Sequence, residues 1–447
     1  MSEKKFLPLP FEKPKNYGEA LKNEPEKIDS EIHNLVLEIE SQLPPIIPSL
    51  RAKNSRSAKA AFLSGETENP SFEYREAVST EKYIELSERL RGLEKEINSL
   101  SYPLKQLYIL KINNLYNKLN FLRSIGHDAK TFTEASIKLW GDIPQDLGII
   151  LEKECRERRG EEEDGEERGA KAKEDREELI PSPMLVEIFN NVLEEYGFFP
   201  EWMARINPQA GSITVEERSK IGGAISPSIE IPLSRKVRIS RLESLVAHEI
   251  GVHIFRGEAG RRTPLALIGY QRDTEGNLIC AGGPGSGEIE EGLGKFAEAY
   301  VEWFREDAGE FQFRPYSVYS ALAVWYAREY NFRGVFEKLR SLGLSKESAY
   351  KRTVRVFRGI SDPSRPGFYC TLDATYRLGS IIVADFYMNN PQEIDRLWIG
   401  KIGSRYLGIL SELGIEKPAL PVWFMKVLDY YSEKEWRELR RRSKGTL

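Results

Sequence analysis

The segment that most constrains the fold is residues 152–178, which contain almost no apolar side chains. A stretch of this composition cannot bury enough apolar surface to join a core, and it is typical of a solvated linker or a flexible helix. It therefore predicts a boundary between an N-terminal helical part and a C-terminal part. We divide the chain into residues 1–64, an N-terminal arm and helix, residues 65–180, a helical domain that ends in the charged linker, and residues 181–447, a third domain.

Apolar residues recur with helical spacing along most of the chain. The predicted helices span about residues 28–43, 81–99, 103–124, 133–140 and 184–196, and the chain after residue 241 is mostly helical. Residues 46–80 are expected to be irregular. Short alternating runs predict strands at 212–215, 228–231 and 236–239. The pattern favours a mainly α, α+β protein with a small sheet, preceded by a helical N-terminal region.

The composition argues against several classes of protein. The net charge is -4 at pH 7, which is not the basic excess of a dedicated nucleic-acid binder. No segment approaches the roughly 18 consecutive apolar residues of a membrane span, and the N-terminal residues lack the apolar stretch of a signal peptide. Cys155, Cys280 and Cys370 lie far apart and form no disulfide framework or cysteine zinc site. We expect a cytoplasmic protein that binds neither nucleic acid nor membranes.

A helix is predicted to begin near residue 241. Ser240 and Glu243 form a capping-box pattern there, and Gly257 is the expected end of the helix. The chain has only four histidines, and two of them, His248 and His253, fall within this helix.

The five-residue spacing of these histidines limits what the helix can do. In the common zinc motif HExxH the histidines are four residues apart and share a face, and the glutamate acts as a general base. At about 100° per residue, five steps turn the rings roughly 140° apart. A π-bulge would restore the shared face, and Gly251 would ease that distortion. The spacing therefore either excludes a shared metal ion or requires a bulge.

A third metal ligand could come from a second amphipathic helix that begins near residue 288. It opens with two adjacent carboxylates, Glu290 and Glu291, and apolar residues then follow at helical spacing. One carboxylate could bind an ion while the other accepts a hydrogen bond from a histidine ligand.

The two motifs, HEIGVH at 248–253 and EEGLG at 290–294, resemble those of the microtubule-associated tyrosine carboxypeptidase family, whose members are gluzincin-type zinc peptidases. Further segments of the same family are matched more loosely at 69–74, at 355–362 and at Gly367, Asp373, Tyr376 and Gly379. The resemblance implies a zincin (gluzincin-like) catalytic domain at residues 181–447.

The resemblance also implies roles for individual residues. It makes His248, His253 and Glu291 the ligands of one Zn2+ per chain, Glu249 the general base, and Glu290 a hydrogen-bonding partner of a ligand. The implied activity is that of a zinc metallocarboxypeptidase, which removes C-terminal residues from a peptide or protein with a zinc-bound water that the glutamate activates.

The reaction needs two further functions, for which we name candidates. Tyr376 is the candidate donor to the oxyanion that forms when water attacks the peptide carbonyl. Arg355 and Arg358, which follow Arg352 at intervals of three, are candidates for holding the substrate carboxylate.

Two other functions stay open at this point. An aminopeptidase or dipeptidyl peptidase could use the same zinc core, because dipeptidyl peptidase III-like enzymes also carry an HExxxH helix and a later pair of glutamates. A non-catalytic regulatory protein could also retain the zinc site.

Overall fold

The computed structural model describes residues 26–157, 179–219, 226–272, 276–306 and 318–419. The protein is mainly helical with small sheets, which confirms the predicted mainly α, α+β class. Of the charged run at 152–178, residues 152–157 end a helix, and the remainder lies outside the described residues. The division into three domains stays a prediction.

The N-terminal part consists of helices. They are α1 (Ser30–Ser41), α2 (Ile46–Ser49), α3 (Ser55–Ser64), α4 (Thr80–Glu96), α5 (Tyr102–Ser124), α6 (Ala129–Trp140) and α7 (Gln145–Glu157). The expectation that residues 46–80 are irregular was wrong for α2 and α3. Helix α3 is short, but it buries Phe62 edge-on against Phe332, with ring centroids 4.9 Å apart. This distant aromatic contact stabilises a helix that local periodicity did not reveal.

Three small sheets follow. Strand β1 (Leu179–Pro181) leads into helix α8 (Ser182–Glu195), and the central sheet contains β2 (Met203–Asn207), β3 (Thr214–Ser219) and β4 (Ser226–Pro232). The strand order is β2-β4-β3, with β4 parallel to β2 and antiparallel to β3. Strand β5 (Lys236–Arg238) pairs with β1. The three predicted strands are confirmed with shifted ends, whereas β1 and β2 were not predicted.

The predicted helix near residue 241 runs without a break through three segments. They are α9 (Leu242–His248), a π-helical segment (Glu249–Ile254) and α10 (Phe255–Arg261), and we call them together the histidine helix. Its N-cap is Arg241, one residue after the predicted Ser240, and the Arg241 side chain makes no capping hydrogen bond. Gly257 does not end the helix. It makes room for Tyr270, whose Cε2 would lie 2.1 Å from a Cβ at this position.

A short hairpin and a second long helix follow. The hairpin pairs β6 (Gln271–Arg272) with β7 (Leu278–Ile279), and α11 (Ser286–Glu306) is the second helix predicted from the sequence; we call it the glutamate helix. The remaining helices are α12 (Val318–Tyr326), α13 (Phe332–Ser341), α14 (Lys346–Phe357), α15 (Ala374–Asn389) and α16 (Leu407–Glu412). None of the helices in the described residues has both the length and the apolar character that crossing a bilayer requires.

The glutamate helix and α15 lie in backbone contact through two glycines. A Cβ at Gly292 would lie 2.2 Å from the carbonyl carbon of Gly379, and a Cβ at Gly379 would lie 2.1 Å from the carbonyl oxygen of Glu288. Only glycine fits such an approach. The contact places Tyr376, one turn before Gly379, beside the carboxylates at the start of the glutamate helix.

The N-terminal helices are tied to the segment between the two long helices. The buried carboxylate of Asp29 accepts hydrogen bonds from the backbone N–H groups of Ala266 (2.7 Å) and Leu267 (3.1 Å). On α5, the buried Lys111 donates to the backbone carbonyl of Ala281 and to Glu40, at 2.8 Å. One connected core of buried side chains extends from Ile32 to Ile415.

Candidate metal centre

The π-helical segment brings the two histidines of the histidine helix together. Within it, the N–H of Phe255 donates to the carbonyl of Ile250, five residues earlier. The rings of His248 and His253 lie with centroids 4.9 Å apart and planes at 56°. The bulge that the histidine spacing requires is therefore present, and both rings lie on one side of the helix.

Two aromatic side chains from other segments support this irregular stretch. The fully buried Trp398 donates its indole N–H to the carbonyl of Gly251 at 2.8 Å. The hydroxyl of Tyr270 donates to the carbonyl of His253 at 3.1 Å. A π-helix disturbs the regular hydrogen-bond ladder, and these donors satisfy carbonyls inside it. The sequence gives no sign of these two donors, because nothing in the local pattern connects them to the histidine helix.

Glu291 completes a cluster that could hold a metal ion. Its carboxylate oxygens lie 3.6 Å from Nε2 of His248 and 4.0 Å from Nε2 of His253, and the three ligand atoms all lie within 4.8 Å of one another. Ligand bonds of about 2.0–2.2 Å to a tetrahedral ion would set them roughly 3.3–3.6 Å apart, so small side-chain movements suffice. In the part of the chain that the structure describes, this is the one His/Cys/Asp/Glu group with such geometry.

The Nδ1 atom of each histidine contacts a carboxylate. Nδ1 of His253 lies 3.1 Å from Oε1 of Glu290, and Nδ1 of His248 lies 2.5 Å from Oε1 of Glu298. Glu298 was missed. Its signal is its position seven residues after Glu291, which is two turns along the same face of the glutamate helix.

Cationic side chains keep both of these carboxylates ionised. Burial would raise the pKa of Glu290, but the charges of Arg256 and Lys401 lower it to about 2. Arg256 is fully buried and forms an ion pair with Glu290, and its other donors bond backbone carbonyls. Burial would also raise the pKa of Glu298, but the hydrogen bond to His248 and the charge of Lys295 lower it to about 2.

This charge distribution favours a cation between the rings. Burial alone would lower the pKa of His248, but hydrogen bonds to Glu291 and Glu298 raise it to about 10. The site thus holds a proton strongly in the absence of another cation. Because the ionised Glu290 and Glu298 accept hydrogen bonds from Nδ1, the Nε2 atoms of both rings can present lone pairs to a metal ion.

Glu249 directly follows His248 in the histidine helix, and it is 8% exposed. Burial, against the opposing charges of His248 and His253, raises the pKa of its carboxyl group. A carboxylate whose pKa is moved towards neutrality accepts and returns protons more readily.

The cluster opens into a cavity of about 550 Å³. Its walls include the three cluster residues, Glu249, Tyr376, Lys401, strand β3 and small residues between positions 280 and 287. The pKa of Tyr376 is raised to about 12, mainly by burial and then by the charges of Glu291 and Asp373. Its hydroxyl therefore keeps its proton and can donate a hydrogen bond into the cavity.

The predicted substrate arginines pair with a carboxylate of the chain itself. Arg355 donates to Asp373, with Nε 3.0 Å from Oδ2, and Nη2 of Arg358 lies 3.1 Å from the same oxygen. Asp373 is the residue before α15. Neither arginine is among the described residues that line the cavity, and the third of the series, Arg352, contacts Ser320 and the ring of Tyr319.

Gly294 gives a direct test of the packing against His248. A Cβ there would lie 2.5 Å from Cε1 of the imidazole ring. We expect Gly294→Ala to lower the free energy of unfolding by roughly 1–3 kcal/mol, the usual cost of overpacking, in denaturant titrations. The matched control is Gly92→Ala in α4, where no atom lies within 4 Å, and a gain of up to about 1 kcal/mol is expected from helix propensity. Equal stability of the two variants would show that the glycine is not needed for the ring.

Comparison with known proteins identifies a family. A family model described as microtubule-associated tyrosine carboxypeptidase matches residues 59–436, which include the histidine helix, the glutamate helix and α15. No curated protein matches the chain.

Proposed function

Since the chain belongs to the microtubule-associated tyrosine carboxypeptidase family, we propose that it is a zinc-dependent carboxypeptidase that removes C-terminal residues from a peptide or protein. The observation that carries this proposal is the convergence of His248, His253 and Glu291 beside the buried carboxylate of Glu249, within one cavity. Family membership supports carboxypeptidase activity, and the donor set supports the metal.

The residues of the cluster fit a catalytic zinc ion. Two imidazoles and one carboxylate are a known ligand set of catalytic zinc, which leaves one position open. The hydrogen bonds from the Nδ1 atoms to Glu290 and Glu298 orient the rings, as carboxylates behind zinc-bound histidines commonly do. When bound, zinc supplies Lewis-acid chemistry: it lowers the pKa of a coordinated water towards 7 and polarises the scissile carbonyl.

Two protein side chains would move and hold protons during hydrolysis. Glu249 accepts the proton of the attacking water and passes it to the leaving amine, for which its raised pKa is suited. Tyr376, still protonated at neutral pH, donates a hydrogen bond to the oxyanion that develops on the scissile carbonyl.

The arrangement of elements also supports a gluzincin-like architecture. The histidine helix and the glutamate helix contribute the ligands, and β3, an edge strand of the three-stranded sheet, lines the same cavity. An extended peptide chain could lie along this strand and reach the metal site.

The direction of exopeptidase cleavage is tested with end-blocked peptides. We expect the purified protein with zinc to release the last residue of a peptide with a free C-terminus. Acetylation of the N-terminus should have little effect, whereas amidation of the C-terminus should abolish release, measured by mass spectrometry. The opposite pattern would indicate an aminopeptidase or dipeptidyl peptidase, and no release from any peptide would favour a regulatory protein.

A further inference from the structure

A carboxypeptidase must recognise the free carboxylate of its substrate, and one residue of the cavity has the required charge. Lys401 is the one lysine or arginine among the described residues that line the cavity. Arg355 and Arg358 pair with Asp373 and are not among these lining residues. We propose that the ammonium group of Lys401 binds the C-terminal carboxylate of the substrate. This inference rests on the proposed carboxypeptidase function and adds the residue that makes the enzyme specific for chain ends.

The position of Lys401 suits this role. Its side chain is 16% exposed, and Nζ lies 3.8 Å from Oε1 of Glu290, the same oxygen that contacts His253. The ammonium is therefore one side chain away from a proposed zinc ligand. One residue separates the scissile carbonyl from the terminal carboxylate, a span of about 3.5 Å. A cation that neighbours the metal cluster without belonging to it is what such a substrate requires.

The backbone of Lys401 is fixed on both sides. Its N–H donates to the carbonyl of Ile268 at 2.7 Å, and its carbonyl accepts from the N–H of Gly283 at 2.7 Å. At the preceding residue, Gly400, a Cβ would lie 2.8 Å from the carbonyl oxygen of Ile268. A binding group held in this way loses little freedom when a ligand arrives.

The ammonium group also has capacity for another acceptor. It contacts Glu217 at 3.2 Å and is hydrogen-bonded to Tyr270, whose ring centroid lies 5.0 Å from Nζ. Glu290 is already paired with the buried Arg256, so Lys401 is not its only cation. An ammonium has three donors, and a substrate carboxylate can take one of them from the cavity side.

Binding measurements test this assignment without depending on turnover. The probe is a fluorescein-labelled hexapeptide ending in tyrosine, prepared as the free acid and as the C-terminal amide, and binding to the zinc-loaded Glu249→Gln protein is followed by anisotropy. We expect the parent to prefer the acid. Adding Lys401→Met should weaken acid binding by about 10- to 100-fold, the range for a charge-assisted hydrogen bond, and should leave amide binding unchanged.

Three comparisons separate recognition from structural damage. Lys401→Arg should restore most of the preference for the acid, and Lys417→Met, which removes an exposed lysine, should leave it intact. Lys401→Met combined with Glu217→Gln removes the carboxylate left without its cation and should still lack the preference. Damage to the fold would weaken acid and amide equally, and that result would overturn the proposal.

The same data distinguish failure of this inference from failure of the proposed function. If the protein with intact Glu249 hydrolyses free-acid peptides and Lys401→Met keeps the full preference for the acid, the role of Lys401 is refuted and the carboxypeptidase stands. If no peptide is hydrolysed but the preference disappears with Lys401→Met, the lysine binds carboxylates in a protein that is not a peptidase. Absence of any preference in the parent refutes the inference.

Discussion

Glu249→Gln is expected to reduce peptide hydrolysis by about 1,000-fold or more, because general acid–base catalysis contributes up to about 10⁴ in rate. The amide has the shape of the carboxylate but cannot accept a proton from the attacking water. Glu249 is not one of the three residues whose ligand atoms converge, so the variant should retain metal. Initial rates with a free-acid peptide and zinc analysis of the same preparation measure both effects.

A second glutamate on the same helix provides the control. Glu243 lies in the first turn of α9, away from the cluster. Glu243→Gln should hydrolyse the peptide at close to the original rate. A Glu249→Gln protein that kept more than a tenth of the original activity would remove this residue from the proposed chemistry.

His253→Ala should remove the metal from the protein. We expect zinc analysis to fall from about one ion per chain to almost none, since a zinc site without one of three protein ligands loses most of its affinity. Activity should fall with it. Because a metal that binds only the folded state stabilises it, chelation should lower the Tm of the original protein and have almost no effect on the Tm of the variant.

An exposed histidine outside the cluster is the matched control. His127→Ala should keep its zinc and its response to chelator. A His253→Ala protein that still bound one ion per chain would place the metal elsewhere.

The sequence predicts the residues of the candidate site better than it predicts the residues that stabilise the site. The spacing of His248 and His253 required a bulge, and the pair of carboxylates indicated Glu291, because both arguments depend on a local pattern. The donors that satisfy the bulge, Trp398 and Tyr270, come from distant segments and leave no local trace. Glu298 could have been found from its spacing, had the face of the helix been followed for two more turns.

In the fold, too, elements with a local pattern were predicted and elements that depend on distant contacts were not. Helices with long periodic patterns, such as α5, were predicted with nearly correct ends, whereas α3 depends on the contact of Phe62 with Phe332. Gly257 was misread because a glycine that ends a helix and a glycine that admits a ring look identical in sequence.

The arginines show a limit of charge patterns. Their regular spacing indicated a cationic surface for a carboxylate, and a carboxylate is present, but it belongs to the chain's own Asp373. A sequence shows which residues are charged, and only the tertiary structure shows how they are paired. The proposed contact of Arg355 and Arg358 with the substrate stays a prediction.

The hydrogen bonds from Asp29 and Lys111 to the segment around residues 266–281 have a practical consequence for anyone who wishes to shorten this protein. A fragment that began at residue 181 would contain every proposed zinc ligand, yet it would lose these three hydrogen bonds and expose apolar side chains that are buried in the connected core. We therefore expect such a fragment to be less stable than the full chain, because the helices before residue 181 cover part of its surface.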